Sequence, residues 1–477
     1  MKRYKKIYIL LGVLVVACAV TFAVSKYEEH KELISTSDEI VLELSSDDVQ
    51  SLSWECNEES FAFLRDEDGT WRYDEDDVFP VDQDAVGQLL SPFQSFGVSF
   101  IIEDVEDFGQ YGLDEPACSI LLSTDQEEYE ILLGDYSAMD SQRYVSIGDG
   151  NVYLVLEDPL DTFAVTISDL LDRDDIPVFD TVSQITFSGT ETYEITYEEE
   201  GGPSYREEDV YFTQLDGETL PLDPDKISSY LQDIRFLDTT DYVTYNATED
   251  DLASCGLDNP ELTITVDYTT EDEDGNEVSG TFVLSVSRDP EELAAAQEAA
   301  ENQTGTTDTA DTEEEEITAY ARVGDSPIIY QITADDYNAL MAASYDDLRH
   351  GEVLPAEIED VSQLDITLDG QTYTITSLTD GESRSYYYQE ELIDLTDVQN
   401  ALTALTADSF TTEAATGKKE ISLTVTLDLE NTPSVQMEFY QYDGSYCVAV
   451  VDGEPVSLVA RSSVVDLVEA VNAIVLN

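Results

Sequence analysis

Histidine, the side chain most often used as a general base or a zinc ligand near neutral pH, occurs only twice in 477 residues, as His30 and His350. His30 lies beside an apolar N-terminal run and His350 at a junction between β-rich segments. The sequence therefore offers no Ser-His or Cys-His pair for nucleophilic catalysis, and zinc chemistry lacks its usual ligands. Carboxylates are the opposite case. With 106 Asp and Glu, a glycosidase-type pair can be drawn almost anywhere, and none stands out. The expectation is a protein without catalytic residues, cofactor or dedicated metal ligands.

The formal charge is −86. Six of the 20 basic residues precede Glu32, leaving 14 Lys and Arg against 104 Asp and Glu beyond it. This excludes nucleic acid as a partner, because phosphate binding needs basic patches, and it disfavours docking on anionic lipid. It suits solubility and self-avoidance on a crowded surface, with weak divalent-cation binding as a secondary expectation. Two segments approach the spacing of a calcium loop. Around Gly69, Asp66, Asp68 and Glu75 fit but Leu64 stands where the first ligand belongs, and around Gly275, Asp272 and Asp274 fit but Thr270 fails in the same place. The Asp68-Gly69 pair between alternating apolar residues reads better as a hairpin turn.

One motif repeats. Gly112, Leu113, Asp114, Glu115, Pro116 returns 144 residues later as Gly256, Leu257, Asp258, Asn259, Pro260, each time ahead of a β-rich segment. Gly allows positive φ, Asp can cap a turn through its carboxylate, and Pro drives the residue before it into extended backbone. The motif is thus read as a turn that opens a strand. Tyr111 in one copy is Cys255 in the other, which argues against shared chemistry.

Five cysteines, one of them in the N-terminal apolar run, do not make a disulfide framework in a chain of this length. Cys56 and Cys118 lie in one unit, where pairing is open; Cys255 and Cys447 read as unpaired, buried residues. Most aromatic residues occupy alternating strand positions suited to packing. Tyr386, Tyr387 and Tyr388 are the exception, since consecutive side chains point to both faces of a strand, and at least one is expected to be exposed for carbohydrate or protein contact.

The elements that carry these residues fall into three repeated units, at 38–175, 178–350 and 357–477. Unit one opens with Val49, Leu52 and Trp54 in alternation, followed by Phe61, Phe63, Trp71 and Tyr73. A helix then starts after Asp82, with Val86, Leu89, Leu90, Phe93 and Phe96 on one face. Unit two repeats the order through Val182, Ile185 and Phe187, then Ile227, Tyr230, Leu231 and Ile234. Unit three begins at Val361, Leu364 and Ile366 and has Ala415, Thr416, Gly417, Lys418, Lys419 in place of the repeated turn, so it is the divergent copy. Residues 288–316 form a low-complexity insert, poor in large apolar groups and read as a solvated excursion between two strands. The fold class expected is α+β: tandem modules, each a mainly antiparallel sheet with one or two packed helices, behind an N-terminal transmembrane helix.

That helix is assigned to residues 7–24, eighteen residues without charge, about 27 Å long at the α-helical rise. Residues 1–6, with Lys2, Arg3, Lys5 and Lys6, form a basic tail that places the N-terminus in the cytoplasm and the remainder outside the cell. Two rivals share that address: a cleaved signal peptide, and a lipoprotein in which Val15, Val16, Ala17, Cys18 is a lipobox and Cys18 carries the lipid.

With the apolar anchor, residues 71–82, and residues 111–116 leading into 131–135 and 144–153, the chain resembles a bacterial family of unknown function, DUF4340. The likeness is close over unit one, looser over unit two, and broken in unit three by the missing turn. It implies a membrane-anchored extracytoplasmic protein of a Gram-positive surface, of a kind often encoded near ABC-type transporters, and it brings no catalytic residues. The expected function is a non-enzymatic binding, scaffold or accessory component of an envelope or ABC-transporter-type complex. The alternative is a cell-surface carbohydrate or divalent-cation binder, and the third reading a carboxylate-based hydrolase.

Overall fold

Strand alternation, Asp-Gly turns and a helix after each group of hairpins generate one architecture three times over. A computed structural model describes residues 39–476 except 58, 104, 205, 207, 273, 303–316, 355, 381–382 and 429–433. The proposed anchor at 7–24, the basic tail, Cys18 and His30 lie outside the described residues. Among those described, no helix is long and apolar enough to cross a membrane.

The described residues form three 9-stranded sheets. In the second, Thr181–Gly189 lies near the centre, and Tyr193–Tyr197, Tyr211–Leu215 and Glu218–Pro221 step outward from it to one edge. Helix Pro224–Arg235 then carries the chain across to Tyr242–Thr244 on the opposite edge. Leu262–Glu271 returns beside the central strand, and Glu277–Arg288, Ala319–Val323 and Ile329–Ile332 fill the sheet out to that edge, before helix Ala334–Met341.

The third sheet follows the same path from Val361–Leu368 to Glu454–Ala460, with helices Thr396–Thr403 and Arg461–Val475 in the corresponding places. Losing the repeated turn has not altered its topology. The first sheet follows this order too, except that among the described residues it has no counterpart of the fourth strand, and Glu39–Leu42 is added beyond Phe96–Ile102 at the other edge.

Two-residue hairpins account for part of this regularity. Asp216-Gly217, Asp369-Gly370 and Asp452-Gly453 all have positive φ at both positions, the type I′ geometry that matches strand twist. Within strands the period is two: Val361–Leu368 alternates strictly over its second half, and Lys419–Leu427 buries every second residue from Ile421 onward. The buried face is covered by the helices. In the third module Val398 and Leu402 from one helix and Val464, Leu467 and Val471 from the other join Leu364, Val425, Met437 and Phe439 in a single core. In the first, Phe163 packs edge-on against Trp54, with ring centroids 5.6 Å apart. In the second, the Tyr230 hydroxyl donates to the Leu340 carbonyl at 2.8 Å, tying the two helices together.

The described chain divides into two compact units, one closing at Asp174 and including Thr244–Asn246, the other starting at Asp175 and carrying the second and third sheets.

Three local expectations are corrected. The apolar face read as one helix through Phe96 is α-helical only over Gln83–Leu89; a 3-10 turn, Ser91–Ser95, follows, in which Pro92 has no N–H to give, and Phe96 opens a strand. All five apolar residues are nevertheless buried. Within 288–316 the chain does leave one strand and return at the next, but Pro290–Asn302 is an ordered helix, started by the Asp289 carboxylate, which accepts the Glu291 and Glu292 amides at 2.9 and 3.2 Å. Its alanines favour helix without needing a core. Residues 303–316 lie outside the described residues. Finally, none of Tyr386, Tyr387 and Tyr388 is exposed: Tyr386 is buried and donates to the Ile358 carbonyl, and the other two are half-buried between neighbouring strands.

Candidate functional site

Each copy of the repeated turn closes a short helical segment. Gly112 and Gly256 take φ of 70° and 71°. Their amides donate back to Gly109 and Ala253, and those of Leu113 and Leu257 to the carbonyls of Phe108 and Leu252. This pair of backbone bonds is the Schellman closure of a helix, with a buried leucine following the left-handed glycine. Asp114 and Asp258 are exposed, and among the described residues neither carboxylate takes a hydrogen bond, so the cap is made by backbone and not by Asp as the sequence suggested. Pro116 and Pro260 are half-buried just before the next strand.

The acidic residues considered for calcium have other partners. Asp68 accepts from Thr70, which holds its carboxyl below the usual range, while Asp66 pairs with Arg72 at 3.1 Å and Glu75 accepts from Tyr73. Asp272 takes the Asn276 and Asp274 amides, and its carboxyl is likewise lowered.

Polar chemistry instead converges on His350. Four segments place its surroundings. The loop before Tyr211–Leu215 supplies Ser204 and Asp209. Asp223 is the N-cap of Pro224–Arg235: Oδ1 accepts the Asp225 amide at 3.0 Å, which fixes the direction of Oδ2. The Asp223 amide donates to the Leu348 carbonyl at 3.0 Å, so the helix start is stitched to the segment that carries His350. Glu352 bridges to Thr406, flanked by Val353 donating to Leu405 and Ala407 donating to Gly351.

His350 is 6% exposed and Asp209 1%. The imidazole Nε2 lies 2.8 Å from Asp209 Oδ1, and the other oxygen of Asp209 accepts the Ser204 hydroxyl. Nδ1 is buried and, among the described residues, has no hydrogen-bond partner; it lies 3.7 Å from Asp223 Oδ2. A carboxylate accepts only, so Asp209 takes the Nε2–H of His350 and leaves Nδ1 facing Asp223. The donor atoms of Asp223, His350 and Glu352 all lie within 4.8 Å of one another. Ser204 bonds to the carboxylate and not to the imidazole, so the trio is not arranged as a nucleophile and its base.

Beside this cluster a cavity of about 600 Å³ opens between the second and third sheets, lined by His350, Glu352, Leu220, Pro221, Tyr345 and Arg349 among others. Arg349 lies over the rings of Tyr345 and Phe410, at 4.9 and 4.3 Å from their centroids. Burial pushes the Tyr345 hydroxyl above its usual range, so it stays neutral.

Sequence reasoning left His350 at a junction with no role. The signal it held was its rarity; the carboxylates around it were hidden among 104. The first module shows how local the arrangement is. There Asp82 donates to Leu170 as Asp223 does to Leu348, but two residues further on stands Asp172, not histidine.

The family model described as a domain of unknown function, DUF4340, matches residues 71–260 and again 215–424. The chain belongs to this family. The two matches begin 144 residues apart, the same step that separates the two Gly-Leu-Asp turns. Each DUF4340 match runs from the outer strands of one sheet into the next sheet, so the family's unit is out of phase with the sheets and spans a junction. No curated protein and no solved structure matches the chain.

Proposed function

We propose that this DUF4340 protein is a membrane-anchored, extracytoplasmic binding protein whose tandem modules hold an envelope component, as a scaffold or accessory of an ABC-transporter-type complex. One observation carries the extracytoplasmic part. Cys56 and Cys118 face each other on adjacent strands and form a disulfide, a bond that persists in oxidising compartments. The reversal of charge across the apolar run at 7–24 points the same way. The binding role is supported by three sheets joined in series and by the cavity at the second junction. The aromatic run at 386–388 lends no support to carbohydrate binding, because none of its rings is exposed.

The test is recovery of the full chain from gently solubilised membranes. A membrane protein co-purifying in fixed stoichiometry is the expected result, and repeated recovery of the chain alone overturns the proposal.

A further inference from the structure

We infer that Asp223, His350 and Glu352 bind one divalent transition ion of the zinc class at the edge of the junction cavity. Four features of the cluster lead there, and none depends on a protein partner.

The first is the imidazole itself. A buried ring nitrogen without a hydrogen-bond partner is costly, and among the described residues Nδ1 of His350 is such an atom. It is aimed at carboxylate oxygen rather than at an N–H or O–H. Only a cation or an added proton satisfies both groups.

The second is the outer partner. Metal-bound histidines characteristically donate their other ring N–H to a carboxylate, which orients the ring and raises its basicity. Asp209 is such an acceptor, 2.8 Å from Nε2 of His350, and itself accepts the Ser204 hydroxyl.

Spacing is the third. Ligands about 2.0–2.2 Å from a tetrahedral ion stand about 3.4 Å apart. Nδ1 and Asp223 Oδ2 are 3.7 Å apart already, and the carboxylate of the half-buried Glu352 lies within 4.8 Å of both.

The fourth is composition. One imidazole with two carboxylates suits zinc-class ions better than calcium or magnesium, which favour all-oxygen shells. Three protein ligands leave a position open toward the cavity that His350 and Glu352 line.

Diffuse attraction to 104 carboxylates is the rival, and an imidazolium held between Asp209 and Asp223 is the other. The experiment titrates chelator-stripped full chain in detergent with Zn²⁺ by calorimetry, with millimolar Ca²⁺ present to occupy weak surface sites. Co²⁺ is used in parallel for its visible absorption. One equivalent of Zn²⁺ per chain is expected, together with a Co²⁺ spectrum of low coordination number. Glu352→Gln and Asp223→Asn should each weaken binding by about tenfold or more, judged against the 10–100-fold effect of losing even an outer partner. Both replacements are nearly isosteric and lie outside the buried pair, so the fold should persist; Asp346→Asn, at an exposed carboxylate nearby, serves as control. No saturable Zn²⁺ uptake, or uptake unchanged in Glu352→Gln and Asp223→Asn, overturns the inference. Because the titration needs no partner, its failure is separate from failure of the co-purification.

Discussion

Asp209 and His350, 141 residues apart in sequence, meet at 2.8 Å with both side chains out of water. The contact closes the second module on itself, since one residue comes from its early hairpins and the other from its last turn. Asp209→Ala removes the acceptor for both Nε2 and the Ser204 hydroxyl, and should destabilise the fold by about 2 kcal/mol. Asp346→Ala, a change at an exposed carboxylate, should shift stability by less than about 0.5 kcal/mol. Urea unfolding of the two variants beside the parent checks this; equal midpoints would show that the buried contact contributes nothing.

The two repeated glycines should respond unequally to alanine. Both have positive φ, which disfavours a side chain by about 1–2 kcal/mol. At Gly112 a new Cβ would also come within 2.9 Å of the Asp135 backbone nitrogen, whereas at Gly256 its nearest neighbour is the Ser287 hydroxyl, which can rotate. Gly112→Ala is therefore expected to be the more destabilising in thermal unfolding. Asp114→Ala and Asp258→Ala should be close to neutral, and a large loss in either would restore a role to the carboxylate.

Cys56 and Cys118 close a loop across a sequence separation of 62. On the chain-entropy account such a link stabilises by about 4 kcal/mol. The double variant Cys56→Ala/Cys118→Ala should lower the unfolding temperature of the first module and leave the unfolding of the other two unchanged. Mass spectrometry of the unreduced chain should show the two peptides linked.

Burial pushes the Cys447 thiol up to about 11 and also raises that of Cys255. Little thiolate then exists at pH 8, and neither sulfur is open to reagent. Peptide mapping after brief iodoacetamide treatment of native protein should find both unmodified, and both labelled once urea is added. Rapid labelling of native Cys447 would contradict the packing described.

Lys419 and Glu438 form an ion pair across adjacent strands, with Tyr440 also donating to the glutamate. The lysine lowers the Glu438 carboxyl, and the glutamate raises the Lys419 ammonium. A depressed carboxyl contributes stability above its unfolded value, lost as pH falls through the folded one; a raised ammonium contributes below its unfolded value, lost as pH rises through the folded one. The pair should therefore be most favourable around neutral pH and fade on the acid side first. Because both groups are partly exposed, a double-mutant cycle with Lys419→Met and Glu438→Gln should give a coupling of no more than about 1 kcal/mol at pH 7 and less at pH 3.5.

Repetition, alternation and turn chemistry were legible in the chain itself. The two Gly-Leu-Asp turns gave the step between modules, and period-two burial named most of the strand core, because both are set by neighbouring residues and backbone sterics. Where neighbours compete, sequence reading failed. Pro92 broke a helix that apolar spacing alone had extended, and the alanines of Pro290–Asn302 made a helix that low complexity had hidden.

The sequence by itself determined the antiparallel modules, the excess of acidic residues and the scarcity of histidine. Only the tertiary structure decided that the third module keeps the sheet order without the turn, and that Asp209, Asp223 and Glu352 gather around His350. Local patterns are written in residues a few positions apart. A site assembled from a loop, a helix cap and a module junction exists only after chain closure has brought carboxylates more than 100 residues distant in sequence to one buried imidazole, as with Asp209 at a separation of 141.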